Sequence, residues 1–135
     1  MPMTTLTIDT RERCQMLDIT AQVAQALATS GLTDGAVLVF VPHTTAGVTI
    51  NENADPDVKT DMQTILQRLA PRDNGYRHAE GNADSHLKTS LMGPSVLAPV
   101  SAGRLMLGVW QGIMLCEFDG PRRRKVYVQF LAGAV

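Results

Sequence analysis

The chain has 135 residues, a length that suits one domain with one substantial core. Its 12 basic and 13 acidic residues leave a formal charge of -1, which argues against a general nucleic-acid binder with a broad basic footprint. Apolar residues make up 44% and charged ones 19%, an ordinary globular balance that excludes a disordered chain.

Thr4 to Asp9 alternates polar and apolar residues and reads as a strand rather than a secretory signal. Asp18 precedes Ile19, Val23 and Leu27 at intervals of four, and Gly31 follows. A capping Asp and a terminating Gly predict a helix over 19–29. Asp34-Gly35 is a turn. Ala36 to Val41 is an apolar, β-branched run, as expected of a strand buried on both faces. Thr45 to Asn51 reads as a second strand of that region.

Asp55-Pro56-Asp57 opens a helix, because Asp caps, Pro suits the first turn and acids complement the helix dipole. Val58, Met62, Ile65, Leu66 and Leu69 form its apolar stripe, and Pro71 ends it. Arg72 to Asn82 is a polar loop. A short helix over 83–92 follows, with Leu87 and Leu91 expected to face inward and Gly93-Pro94 as its stop. Ser95 to Val100 reads as a strand, Ala102-Gly103 as a turn, and Arg104 to Phe118 as one long strand. Gly108 and Gly112 in that run suggest a bulge or a close backbone approach. Asp119-Gly120-Pro121 turns the chain into a last strand, Lys125 to Phe130. Helices interrupting groups of strands give an α+β class with a mainly antiparallel sheet, in one domain spanning 1–135.

No apolar stretch reaches the length of a membrane helix. Cys14 and Cys116 form neither a disulfide framework nor a CxxC site, so a cytoplasmic protein with reduced thiols is expected.

Three stretches are more polar than core and turn rules require. They are Pro42 to Gly47 with Asn51 to Asp55, His78 to His86, and Trp110 to Gly112 with Cys116 to Lys125. All three histidines fall in the first two. Imidazole and carboxylate groups ligate divalent ions, but His78 and His86 lack the spacing of a helical HExxH site. They read equally as hydrogen-bonded loop residues. Asp84 or Ser85 reads as a cap of the third helix.

Arg122 to Lys125 is the only cationic run. It is a solvated strand end, or it reaches a phosphate or carboxylate. Strand alternation sends Arg122 and Arg124 one way and Arg123 and Lys125 the other. Gly81-Asn82-Ala83 leads into a helix N-terminus, which suits an anion, and Thr44, Thr45 and Gly47 offer similar donors. The Walker, GxSxG and dinucleotide patterns are absent. Cys116 reads as a buried strand cysteine and Trp110 as core.

Five ordered segments resemble the YjbQ family, a group labelled secondary thiamine-phosphate synthase-like. They are His43-Thr44-Thr45-Ala46-Gly47, Asn51-Glu52-Asn53-Ala54-Asp55-Pro56, Glu80-Gly81-Asn82-Ala83-Asp84 with His86, Gly108 with Trp110-Gln111, and Cys116 to Arg122. Val109 departs from the family's pattern, which has Thr there. The resemblance covers nearly the whole chain. It implies a compact sandwich or barrel-like sheet with two to three helices, assembled as a homotrimer.

The resemblance also implies an enzyme that joins a pyrimidine diphosphate to a thiazole phosphate and releases pyrophosphate. A divalent metal, zinc or Mg²⁺, then belongs among the expected cofactors. His43, Glu80, Asp84, His86 and Glu117 are the catalytic candidates. Thr44, Thr45, Asn51, Asn82, Gln111, Arg122 and Arg124 are the substrate-binding ones. His43, His78 and His86 are the imidazole ligand set, while Asp84, Glu52 and Glu117 are the oxygen ligands that Mg²⁺ prefers. A zinc hydrolase of a small phosphate ester or amide is the second expectation. A non-catalytic module that binds a small anionic metabolite or a partner is the third. Neither nucleic acid nor membrane is an expected partner.

Overall fold

The structure is a computed structural model that describes residues 3–134. Eight strands and three helices follow one another as β1 (Thr4–Asp9), β2 (Gln15–Asp18), α1 (Thr20–Ser30), β3 (Gly35–Phe40), β4 (Ala46–Glu52), α2 (Pro56–Leu69), α3 (Ala83–Met92), β5 (Ser95–Ser101), β6 (Arg104–Leu105), β7 (Gln111–Glu117) and β8 (Arg123–Ala132). They form a five-stranded sheet, in the order β1-β8-β3-β5-β6, and a three-stranded sheet, in the order β2-β7-β4. Every strand pair among the described residues is antiparallel.

The two sheets share one apolar core. Val37, Val39, Val126, Val128 and Phe130 of the larger sheet meet Ala46, Val48, Ile113 and Leu115 of the smaller, with Val23, Ala26 and Leu27 of α1 joining them. The far face of the small sheet is also covered. There Met16, Met114, Cys116 and Phe118 pack against Met62, Leu66 and Met92. A strand covered on both sides needs no alternation, so β7 is buried from Gly112 to Glu117. Cys116 is one of its core side chains, and burial pushes its thiol up to about 12.

The C-terminal signal of α1 holds, since Gly31 closes it in the left-handed conformation. Its N-cap is Ile19 rather than Asp18, although Asp18 Oδ1 still accepts the Thr20 N–H at 2.9 Å from one residue further out. Asp55 caps α2 by accepting from the Asp57 N–H.

Five expectations are corrected. β3 is buried on one face only, because Leu38 and Phe40 of its apolar run lie on the outer side of the larger sheet, with Phe40 exposed. The run from Arg104 to Phe118 is two strands, because the chain turns at Leu107–Trp110, where the Gly108 N–H donates to Gln111 Oε1 at 2.8 Å. Trp110 lies on that turn at 63% exposure and is not core. Leu87 and Leu91 of α3 point outward. The buried face of α3 is instead Asp84, Ser85, Lys88 and Thr89, of which the first three are held by ion pairs and hydrogen bonds, and its apolar contact comes from Met92 at its end. Ile65 and Leu69 of α2 are likewise exposed, leaving Met62 and Leu66 to make the contact. Gly112 does mark a close approach, since a Cβ there would lie 2.7 Å from the Asn53 side chain.

The outer face of the larger sheet carries apolar groups in adjacent rows. Leu38 pairs with Leu97, and Phe40 pairs with Tyr127. Phe40, Leu97 and Leu131 remain exposed there.

Candidate functional site

Glu117 ends β7 with its side chain buried. Its Oε1 accepts from the Thr10 hydroxyl at 2.7 Å and from Arg124 Nε at 2.8 Å. Its Oε2 accepts from Arg124 Nη2 and from the backbone N–H groups of Phe118 and Asp119. Arg124, also buried, donates further to the Thr45 hydroxyl at 2.8 Å. Burial alone pushes the Glu117 carboxyl upward. The hydrogen bonds from Arg124, the Asp119 backbone and Thr10 outweigh it, and the group is held below the usual carboxylate range. Glu117 and Arg124 are thereby spent on each other.

Asp84 is held in the same manner at the start of α3. Arg13 grips both its oxygens, at 3.1 and 3.0 Å, and Lys88 Nζ lies 2.9 Å from Oδ2. Lys88 is itself buried and donates to Gln67 Oε1 at 2.8 Å. Burial opposes ionisation of Asp84, but the two cations win and its carboxyl is lowered. Its side chain therefore anchors α3 and does not cap it. Ser85 donates to the Phe118 carbonyl at 2.5 Å.

A polar line crosses the surface above these pairs. Arg122 Nη2 donates to Asp119 Oδ2 at 2.8 Å, and Asn82 Nδ2 donates to the same oxygen at 2.9 Å. An ionised Asp119 only accepts, so the Asn82 amide must turn its Oδ1 toward His78, whose Nε2 lies 2.9 Å away. That assigns the proton to His78 Nε2. The His86 ring stands edge-on to His78, with centroids 5.2 Å apart. Both rings border a recess of about 390 Å³ that also includes Tyr76, Arg77 and Leu87. Glu80, highly exposed, approaches His78 Nε2 at 3.8 Å.

His43 follows β3 and is half-buried. Its Nε2 accepts the backbone N–H of Lys125 at 2.9 Å. The neutral ring therefore carries its proton on Nδ1, which has no partner among the described residues. Burial and the nearby Arg124 charge lower its pKa, and Glu117 opposes them in part. The ring borders a cavity of about 540 Å³ lined by Thr7, Pro42, Arg123, Lys125 and Tyr127.

The candidates from the sequence thus divide. Thr45, Glu117 and Arg124 form one buried cluster, while His78, Asn82, His86 and Arg122 share the polar line. His43 borders a separate recess, and Thr44 beside it is exposed. Asn51, Glu52 and Gln111 sit at the opposite end of β4 and β7, where Glu52 pairs with Gln111. Seven strand residues put them about 20 Å from the His43 end. The three-histidine set is not assembled, and among the described residues no three His, Cys, Asp or Glu side chains form a group that could hold a metal ion. Sequence reasoning missed Thr7, Arg13, Lys88 and Tyr127. Parity offered one signal, since Arg123, Lys125 and Tyr127 share a face of β8.

A family model described as UPF0047 protein YjbQ-like matches residues 4–133. UPF0047 protein YugU of Bacillus subtilis is 51% identical over 128 residues, covering 94% of this chain and 97% of its own length. UPF0047 protein MJ1081 of Methanocaldococcus jannaschii is 48% identical over 124 residues, covering 92% of this chain and 90% of its own. Among solved structures, hypothetical protein APE1520 of Aeropyrum pernix superposes with a TM-score of 0.94 at 38% identity, covering 98% of this chain and 100% of that one.

Proposed function

Because the chain belongs to the YjbQ-like UPF0047 family, we propose that it is a small enzyme acting on phosphorylated metabolites, with thiamine-phosphate-synthase-like transfer as its reaction. In that reaction a thiazole nitrogen forms a C–N bond to the pyrimidine methylene carbon. The C–O bond to diphosphate breaks, and pyrophosphate leaves with the electron pair. The observation that supports this reading is His43. Its acceptor nitrogen is occupied by the Lys125 N–H, and its Nδ1–H is left free beside a recess. Such a proton suits the oxygen that gains charge as diphosphate departs.

Mg²⁺ enters this reading as an ion brought by the diphosphate, since no three-residue ligand group exists among the described residues. The zinc-hydrolase alternative has no three-residue ligand group within one chain among the described residues. The test supplies the pyrimidine diphosphate and the thiazole phosphate with Mg²⁺ and follows pyrophosphate. Loss of an acid–base group typically costs about 10²–10⁴-fold, so His43→Gln should fall by that range. No pyrophosphate from the wild type overturns the transfer reading.

A second reading is a non-catalytic module for a small anionic metabolite. It is favoured by the engagement of Glu117, Asp84 and Arg124 in buried pairs, which leaves few free groups for chemistry. Binding without turnover would select it.

The reading includes self-association as a homotrimer and a cytoplasmic location. The exposed apolar rows of the larger sheet support the first, and the two free thiols suit the second. No helix among the described residues is long and apolar enough to cross a membrane. Sedimentation of the purified protein tests the trimer, and a monomer at micromolar concentration overturns it.

A further inference from the structure

We propose that the recess beside β1 and β8 is an oxyanion subsite that takes a phosphate or diphosphate group, with Lys125 as its charge and His43, Tyr127 and Thr7 as its neutral donors. It rests on the preceding reading for what the bound group does, but the binding itself stands on the groups that line the recess. Sheet register builds it. Arg123, Lys125 and Tyr127 occupy alternate positions of β8 and share its outer face. Thr7 pairs directly with Lys125, and Phe40, at the end of β3, pairs with Tyr127. The chain then leaves the sheet through Pro42 and His43, which close the recess.

Every polar side chain of that lining can donate a hydrogen, and none is a carboxylate. The nearest carboxylate in register, Asp9, is committed to Arg123 at 2.9 Å. Lys125 has no ion-pair partner among the described residues. A chain of net charge -1 therefore carries one recess of donors with an uncompensated ammonium. The volume of about 540 Å³ accommodates a phosphorylated small molecule. Arg122 and Arg124, by contrast, are tied to Asp119 and Glu117.

The experiment is calorimetric titration of the full chain with inorganic pyrophosphate and, separately, inorganic phosphate at low salt. Wild type, Lys125→Gln, Thr7→Val and the control Lys59→Gln on α2 are compared, with thermal melts to verify folding. Lys125→Gln should weaken pyrophosphate binding at least tenfold, Thr7→Val less, and Lys59→Gln not at all. No binding by the wild type at millimolar anion, or equal binding by Lys125→Gln, overturns the subsite. Equal losses in Lys125→Gln and Lys59→Gln reveal only diffuse attraction and overturn it also. The two proposals fail separately. Lys125-dependent binding without pyrophosphate release from the two substrates sinks the transfer reading alone. Turnover unaffected by Lys125→Gln sinks the subsite alone.

Discussion

His43 Nε2 accepts the backbone N–H of Lys125 at 2.9 Å. Because β3 ends at Phe40, opposite Tyr127, no strand continues beside Lys125 on that side. The imidazole takes the place of the missing carbonyl and keeps the ladder of β8 satisfied. A protonated ring would have to donate from Nε2 toward another donor. The geometry therefore favours neutral His43, and burial with the Arg124 charge independently lowers its pKa.

The pH dependence has a definite sign. The unfolded chain binds a proton at His43 near its ordinary pKa of about 6.5, and the folded chain resists it until lower pH. This contribution to stability is complete above that value and is lost as pH falls through the folded pKa. Urea unfolding between pH 7.5 and pH 5 should show declining stability in wild type and a flatter profile in His43→Gln. Identical slopes would remove His43 as the cause. Arg122, Arg124 and Glu117 also face this ring, and the Glu117 carboxyl, held below the usual carboxylate range, does not titrate in that window.

Breaking the buried Glu117–Arg124 pair should be expensive. Glu117→Gln leaves a buried guanidinium without its anion, at a cost of about 3–5 kcal/mol. Replacing both residues with apolar ones of similar volume should cost less than either single change. Denaturant unfolding of the three variants forms the cycle, and additive losses would show that the residues act independently. Glu117 also has a lowered pKa, so its contribution is fully present above about pH 4.5 and is lost as pH falls through the folded value.

Asp84 separates structural from catalytic use of the third helix. Removing it abandons both Arg13 and Lys88 at once. Asp84→Ala should lower stability by about 3–5 kcal/mol, whereas Lys88→Met, which leaves the Arg13 pair in place, should cost less. Thermal melts decide this. A wild-type melting temperature in Asp84→Ala, with turnover abolished, would assign Asp84 to chemistry instead.

Most elements were legible because their signals are local. Asp55-Pro56-Asp57, Gly31 and the β-branched run before Val41 each dictate structure through nearest neighbours. β2 was not legible, since four residues, Gln15–Asp18, are too few to show a period. The polar face of α3 was illegible for another reason. Its Lys88 and Asp84 are buried only because Arg13 and Gln67 arrive from elsewhere in the chain. In the cationic run, alternation correctly separated Arg124 from Arg123 and Lys125. Which parity faces the interior depended on Glu117, a partner seven residues earlier on another strand. The polar residues of the candidate site stood out by composition, but their division between recesses is tertiary.

Trp110 gives the sharpest test of where composition misleads. An apolar neighbourhood of Met106, Leu107 and Val109 imitates a core strand. In the fold it is a turn whose tip is exposed, with Val109 at 87% and Trp110 at 63%. A tryptophan in a packed core would cost about 3–5 kcal/mol on truncation to Ala. At this surface position the unfolding free energy of Trp110→Ala should change by no more than about 0.5 kcal/mol when measured on dissociated protein. Repeating the melts over a range of protein concentrations separates the two sources of any loss. A deficit that grows with concentration places Trp110 against another copy of the chain. A concentration-independent loss of several kcal/mol would return Trp110 to the core and contradict the turn at Gly108.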